Sequence, residues 1–224
     1  MKTLSLAKPL IIILSGLPGS GKSFFAGQFS DMFGAPLVSH DRIRYELFTK
    51  PQFNSSESEI ISRLADYQMS ELVKTKRSFI IDGGGNTLAE RQKLHKLATA
   101  HGYDTFLIWV QTDDATCRKR ALQRSPKGAD VQSPNLTDAQ WIEQAKRFVQ
   151  PVRERHMVIS GKHAFSTQAK MVLRKLTSPH VEAVQNAHQQ KSQQRPTNTP
   201  NRSQERPVPE RPVAAPPRRS VVIS

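Results

Sequence analysis

The octet Gly16-Leu17-Pro18-Gly19-Ser20-Gly21-Lys22-Ser23 stands directly after the apolar run Leu10-Ile11-Ile12-Ile13-Leu14. This spacing of glycines, lysine and hydroxyl is the pattern that wraps backbone amides around phosphate groups when a strand precedes it and a helix follows. Gly16, Gly19 and Gly21 free the main chain, Ser20 included, to approach phosphate oxygens closely. Lys22 would place a mobile positive charge on the β- and γ-phosphates, and Ser23 would offer a hydroxyl to Mg²⁺. The segment from Phe24 to Met32 reads as a helix whose N-terminus points a partial positive charge at the same anion. The octet therefore predicts a bound nucleoside triphosphate, with ATP and Mg²⁺ as the expected ligands, over a mere glycine-rich turn.

Three further groups could complete a reaction centre. In Ser39-His40-Asp41-Arg42-Ile43-Arg44, Asp41 would sit at a strand end facing the phosphate loop, with Arg44 one helical turn on. A carboxylate there can take a proton from an attacking hydroxyl, and the arginine can hold an anionic acceptor. The other reading is a helix cap and a surface ion pair. In Ile80-Ile81-Asp82-Gly83-Gly84-Gly85-Asn86, Asp82 closes an apolar strand where a second magnesium-organising acid is expected, alongside Ser23, unless it only caps the turn. Arg91 could reach the same cleft or be solvated. Finally, Arg120 and Arg124 share a helix face by four-residue spacing and run into a loop at 125–135 that suits a lid over the transferring phosphates. An exposed basic helix face is the alternative.

These residues need strands to bring them to one edge. Short runs rich in Ile, Val, Leu and Phe predict strands at Leu10–Ser15, Pro36–Ser39, Phe79–Asp82, Tyr103–Gln111 and His156–Ser160. Helical spacing predicts helices at Ser20–Met32, Asp41–Phe48, Ser56–Lys76, Leu88–His101, Asp113–Arg124, Thr137–Val149 and Ser166–Leu176. Gly102 fits a C-cap, and Asp113 and Thr137 fit N-caps. Strands alternating with helices imply right-handed crossovers and an α/β fold of three layers around a mostly parallel five-stranded sheet. In such sheets ligands collect at the carboxyl ends of the strands, where each group above would lie.

Composition sets the bounds. The hydrophobic content of 37% is low for a fully globular chain of 224 residues, and the cause is local. After Thr177, prolines alternate with Gln, Asn, Ser and Arg, so residues 178–224 are expected to form a disordered tail and residues 1–177 a single domain. The Pro-rich run Arg206–Pro212 is a solvated tether or a ligand for an aromatic groove; the tail as a whole could bind a protein partner or a polyanion. Lys and Arg number 33 against 19 Asp and Glu, a net charge of +14, which suits an anionic ligand and leaves room for a polyanionic second substrate. Simple solubility is the other account. The lone Cys117 excludes a disulfide framework and zinc spacing. No stretch is long enough to span a bilayer, and the basic N-terminus leads through too short an apolar run for a secretory signal; a reducing cytoplasm and no membrane partner are expected.

The octet, Asp41-x-x-Arg44, Asp82 to Asn86 with Arg91, and Arg120 with Arg124 follow one another in an order that resembles small P-loop kinases. The grouping is similar to the AAA_33 family, which includes 5′-hydroxyl polynucleotide kinases and relatives of zeta toxins. The resemblance covers roughly residues 8–177. It implies Asp41 as general base, Arg44 on the acceptor phosphate, and Arg120 or Arg124 reaching the ATP phosphates. It also implies that Val158-Ile159-Ser160-Gly161, with Phe165, lines the adenine site, although relatives often carry Asp where Ser160 stands. The triple glycine at 83–85 departs from the Asp–Thr–Asn pattern of polynucleotide kinases. The expected activity is transfer of the γ-phosphate of Mg-ATP to a hydroxyl acceptor, a nucleic-acid 5′-hydroxyl being one candidate. Two alternatives are a kinase of a small metabolite, nucleotide sugar or antibiotic, and a non-catalytic ATP-binding interaction protein.

Overall fold

Each residue of Leu10–Ser15 is buried, as a strand covered on both faces requires, and this strand, β1, is the centre of the sheet. A computed structural model describes residues 8–123 and 135–177. Among them, β1 is followed by α1 (Lys22–Phe33), β2 (Leu37–Ser39), α2 (His40–Leu47), α3 (Ser55–Lys74), β3 (Phe79–Asp82) and α4 (Leu88–His101). Then come β4 (Asp104–Gln111), α5 (Asp114–Leu122), α6 (Asp138–Arg147), β5 (His156–Ser160) and a last helix, α7, at residues 165–177. The strands lie in the order β2-β3-β1-β4-β5 and all four pairings are parallel.

Successive residues of β1 point to opposite faces and build two cores. Ile11 and Ile13 pack with Val38, Ile81 and the α3 and α4 residues Ile61, Ala65, Met69 and Leu94. Leu10, Ile12 and Leu14 pack instead with Phe25, Ala26 and Phe29 of α1 and Val172 of α7. The result is the three-layer α/β fold read from the sequence. A smaller cluster joins α5 to α6 through Cys117, Ala121, Leu136 and Trp141, with Leu17 of the octet packed against it. No helix of the described residues is long and apolar enough to cross a membrane.

Several element ends differ from expectation for local reasons. The first helix starts at Lys22 rather than Ser20, because Gly21 caps it in a left-handed conformation at φ 104°. Ser39, not Asp41, caps α2: its hydroxyl accepts from the Arg42 N–H, which puts Asp41 inside the first turn. Asn54 likewise caps α3, and Lys76 lies beyond that helix at φ 55°. Thr137 caps α6 with a capping box, and the helix stops at Arg147 because Phe148 is extended. Asp113 and Gly102 cap as expected. Tyr103 precedes β4, its side chain buried against Phe79. Arg124 and most of the loop foreseen at 125–135 lie outside the described residues, as does the tail at 178–224.

Candidate active site

Register explains how distant residues meet. Leu14 of β1 is level with Asp82 of β3, and Asp82 is level with Ser39 of β2, so the three parallel strands end side by side. The chain turns out of β1 at Gly16 directly into the octet, which therefore lies over Asp82 and Ser39. Gly16 donates its N–H to Asn86 Oδ1 at 3.1 Å, tying the octet to the turn after β3. Gly19, at φ +85°, sits so close to α5 that a Cβ would fall 2.1 Å from the Cys117 carbonyl oxygen; no side chain is tolerated there. The Trp141 indole N–H donates to the Pro18 carbonyl at 3.1 Å, fastening α6 to the same loop. Sequence reasoning missed this contact; the only trace is one large aromatic on an otherwise polar helix.

Beneath the loop, four of the foreseen residues converge. Lys22 Nζ donates to the carbonyls of Gly16 and Leu17, each at 2.8 Å, so its charge lies within the loop's concave side. Asp82 is 5% exposed, and it accepts hydrogen bonds from Ser23 and, at 3.4 Å, from Ser39 Oγ. Burial raises its pKa; Lys22 opposes that shift while Asp41 reinforces it, which places both charges within electrostatic reach. His40, not among the residues singled out for chemistry, lies over the glycine turn, where a Cβ on Gly83 would come within 2.8 Å of its own Cβ. Burial lowers its pKa against the pull of Glu90, Asp41, Asp82 and Asp66, so the imidazole is neutral at neutral pH.

These oxygens fit a hard divalent cation. One buried carboxylate with a neighbouring hydroxyl matches Mg²⁺, which keeps much of its water and leans on substrate phosphates. The Ser15 and Ser20 hydroxyls are buried here without a hydrogen-bond partner.

On the far side of the loop, Gly161 packs so tightly that a Cβ would lie 1.9 Å from the Ser20 carbonyl oxygen. The Thr112 hydroxyl donates to that same carbonyl at 3.1 Å, and the Gly161 carbonyl accepts from Arg120 at 3.0 Å. Arg120 is thus at the rim next to the octet, while Arg124 lies outside the described residues.

Two arginines lie away from the cleft: Arg44 follows the alternative reading, an ion pair, though a largely buried one, and Arg91 follows neither of its readings. Arg44 does not extend into the cleft: its guanidinium donates to Glu57 at 3.0 Å and to Ser58 at 3.4 Å, and it lies 4.7 Å from the centre of the Phe53 ring. Glu57 also accepts from the backbone N–H groups of Gln52 and Phe53. Burial pushes the Glu57 pKa up, but those donors and Arg44 outweigh it and hold the carboxyl below its usual range. The α2–α3 junction is therefore tied by an ion pair, and Arg44 is one of its two charges. Arg91 is neither solvated nor in the cleft. It is 3% exposed, donates to both Glu154 oxygens at 2.7–3.0 Å, and also donates to the carbonyls of Gly85, Asn86 and Val149.

A five-stranded parallel sheet carrying this loop at its central strand defines a kinase-like P-loop NTPase. The AAA_33 family model, an AAA domain, matches residues 11–151, and the chain belongs to that family. A curated relative, the adenylate kinase of Thermosipho melanesiensis, is 26% identical over 125 residues, half of this chain; the match spans 58% of that relative's length. Among solved structures, the Mycobacterium tuberculosis APS kinase CysC in complex with AMPPNP and APS superposes with a TM-score of 0.56 at 17% identity, covering 76% of this chain and 98% of that one. A sugar kinase from a Janibacter species gives 0.53 at 14% identity, covering 74% and 92%. At these identities the structural matches bear on the fold.

Proposed function

We propose that the chain is an ATP-dependent kinase that transfers a γ-phosphate to a hydroxyl acceptor. The observation that carries this reading is the convergence of Lys22, Ser23, Asp82 and Asp41 at the ends of β1, β2 and β3. The backbone of Gly16, Gly19, Ser20, Gly21 and Lys22 cradles the triphosphate, and Lys22 leaves the Gly16 and Leu17 carbonyls to neutralise the bridging and γ oxygens. Ser23 and Asp82 would hold Mg²⁺, whose chemistry is to offset charge on the transferring phosphoryl group. Asp41, on the first turn of α2 beside that cluster, orients and deprotonates the acceptor. Arg120 and Gly161 border the nucleotide, and Arg124, outside the described residues, is the second arginine for the same phosphates. Arg44 acts at one remove: paired with Glu57, it positions α2 and hence Asp41 against α3.

The net charge of +14 favours a polyanionic acceptor, such as a nucleic-acid 5′-hydroxyl end, over a small neutral one. The same charge suits a cytoplasmic protein that meets nucleic acid. The test is incubation with γ-labelled ATP and a panel of acceptors running from 5′-hydroxyl oligonucleotides to sugars and nucleotide sugars. Label should pass to one class. Lys22→Ala should abolish transfer, and Asp41→Asn should keep ATP affinity within about twofold while lowering transfer by about 10²-fold or more. Full transfer by Asp41→Asn to the same acceptor would remove the base assignment.

A further inference from the structure

We propose that Thr112 and Trp141, both far from the octet in sequence, are positioning residues that aim its Gly21 and Gly19 N–H groups at the phosphates. The proposal rests on the reading of the octet as a triphosphate site and names what holds that site in shape. A phosphate loop works by turning N–H groups inward, and the rigid peptide plane then turns the preceding carbonyls outward. Each outward carbonyl that is buried needs a donor of its own. Those of Gly16 and Leu17 are met by Lys22 Nζ, each at 2.8 Å. Lys22 is the charge expected to move to the phosphates, so it cannot hold the loop while it binds them. Two other carbonyls are met from outside the loop. That of Pro18 accepts from the Trp141 indole N–H and that of Ser20 from the Thr112 hydroxyl, each at 3.1 Å in a buried contact.

Each of these bonds fixes the residue that follows. The peptide bonds are trans, so the Pro18 C=O and the Gly19 N–H point in opposite directions, as do the Ser20 C=O and the Gly21 N–H. Holding the carbonyls against α6 and the end of β4 therefore holds the two N–H groups facing the other way. Neither N–H has an acceptor among the described residues, which leaves both for a ligand. Gly19 and Gly21 stand at φ +85° and +104° and have no side chain to restrain them, so the restraint must come from their neighbours. Both holders are themselves fixed. Thr112 is 9% exposed and follows the last residue of β4, whose carbonyl accepts the Gly161 N–H at 2.9 Å. Trp141 is buried in the cluster with Cys117, Ala121 and Leu136, against Leu17. Packing accounts for a ring at that place, but a phenyl ring would pack there and bring no N–H. Two separate elements thus hold peptides 18–19 and 20–21 of one loop.

The test is calorimetric titration of the full chain, and of its Thr112→Val, Thr112→Ser and Trp141→Phe variants, with Mg-ADP and with Mg-tripolyphosphate. Tripolyphosphate engages the loop but carries no base or ribose. Thr112→Val keeps the shape and removes the donor; Trp141→Phe keeps a ring in the cluster and removes the N–H. Each should weaken both ligands by the same factor, about tenfold, because a buried carbonyl left without a donor draws its peptide out of line. Thr112→Ser keeps the hydroxyl and should bind within about twofold of the parent. Melting midpoints are read alongside, since a purely structural role would lower the midpoint and leave affinities well below it unchanged. Should Thr112→Val fail to fold, Trp141→Phe carries the test from the other peptide. Parental affinity for tripolyphosphate in the Val and Phe variants overturns the proposal and leaves the octet as the nucleotide site. So does weakening confined to ADP, which would put Thr112 to work on the base side through Gly161. A parent chain that binds neither ligand overturns the reading of the octet, and this inference with it.

Discussion

Asp82 is buried beneath the octet with Lys22 on one side and Asp41 on the other, and burial raises its pKa. A carboxyl group whose pKa is higher in the folded than in the unfolded chain stabilises the fold fully below its ordinary value of 3.8 and loses that contribution as pH rises through the folded value. At neutral pH its charged form is therefore a cost in the ligand-free protein, of the kind carried by sites built to bind a cation. Asp82→Asn should raise the thermal midpoint of the ligand-free protein at pH 7, by about 2–4 °C for each kcal/mol relieved in a domain of this size. The same variant should lose most of the further stabilisation that Mg²⁺ with ADP gives the parent. Melting scans between pH 4 and 8, with and without Mg-ADP, check both parts. The advantage of the variant should shrink toward pH 4. A ligand-free variant less stable than the parent at pH 7 would show that the Asp82 charge is satisfied by Lys22 and the two serines alone.

At the scale of elements, Arg91 joins the turn after β3 to the segment that follows α6. Its side chain is 2% exposed and that of Glu154 is 28% exposed, and one guanidinium nitrogen holds the carbonyls of Gly85, Asn86 and Val149 together. Removing one member of a buried pair leaves the other uncompensated, so Arg91→Met should cost about 3 kcal/mol in chemical denaturation. It should also weaken ADP binding, because Asn86 receives the Gly16 N–H and its position depends on this arginine. An Arg91→Met protein with parental stability would mean that water replaces the guanidinium. The contrast with what the sequence discloses is physical. The bounds of β1, β3, β5 and α4 are legible because continuous apolar runs and local caps set them within a few residues. The octet is legible for the same reason, its parts being contiguous. The partners of Arg44 and Arg91 are not, because they lie 13 and 63 residues away and any arginine on a helix looks alike to local patterning; for Arg44 an ion pair is the alternative reading, but neither Glu57 nor its burial is legible. His40 was passed over because its role depends on the space left by Gly83 and Gly84 on another strand's turn. The start of α1 and the end of α6 shifted where a left-handed glycine and an extended Phe148, not propensity, set the boundary.

For the whole molecule, the partition of apolar and charged residues along the chain separates two jobs. The three hydrophobic clusters draw their residues from between Leu10 and Leu176. Residues 178–224 add Lys191, Arg195, Arg202, Arg206, Arg211, Arg218 and Arg219 against Glu182, Glu205 and Glu210, so they carry part of the +14 net charge and few large apolar side chains. Removing them should therefore leave the thermal midpoint, the Mg-ADP stabilisation and transfer to a short acceptor within experimental error of the full chain. Affinity for a long polyanion should fall, since each basic side chain that neutralises a phosphate on a single strand contributes about −0.7 to the slope of log affinity against log salt. With the tail engaged, that slope should be steeper by about 3–5 in the full chain than in the chain ending at residue 177. Titration of a 30-nucleotide single strand at several salt concentrations, with both proteins, measures the difference. Equal slopes would confine the polyanion-binding charge to residues 1–177, around Arg120 and the exposed basic faces of the domain. A truncated chain that unfolds at a lower temperature would instead mean that the tail packs on the domain, against the division of labour argued from its composition.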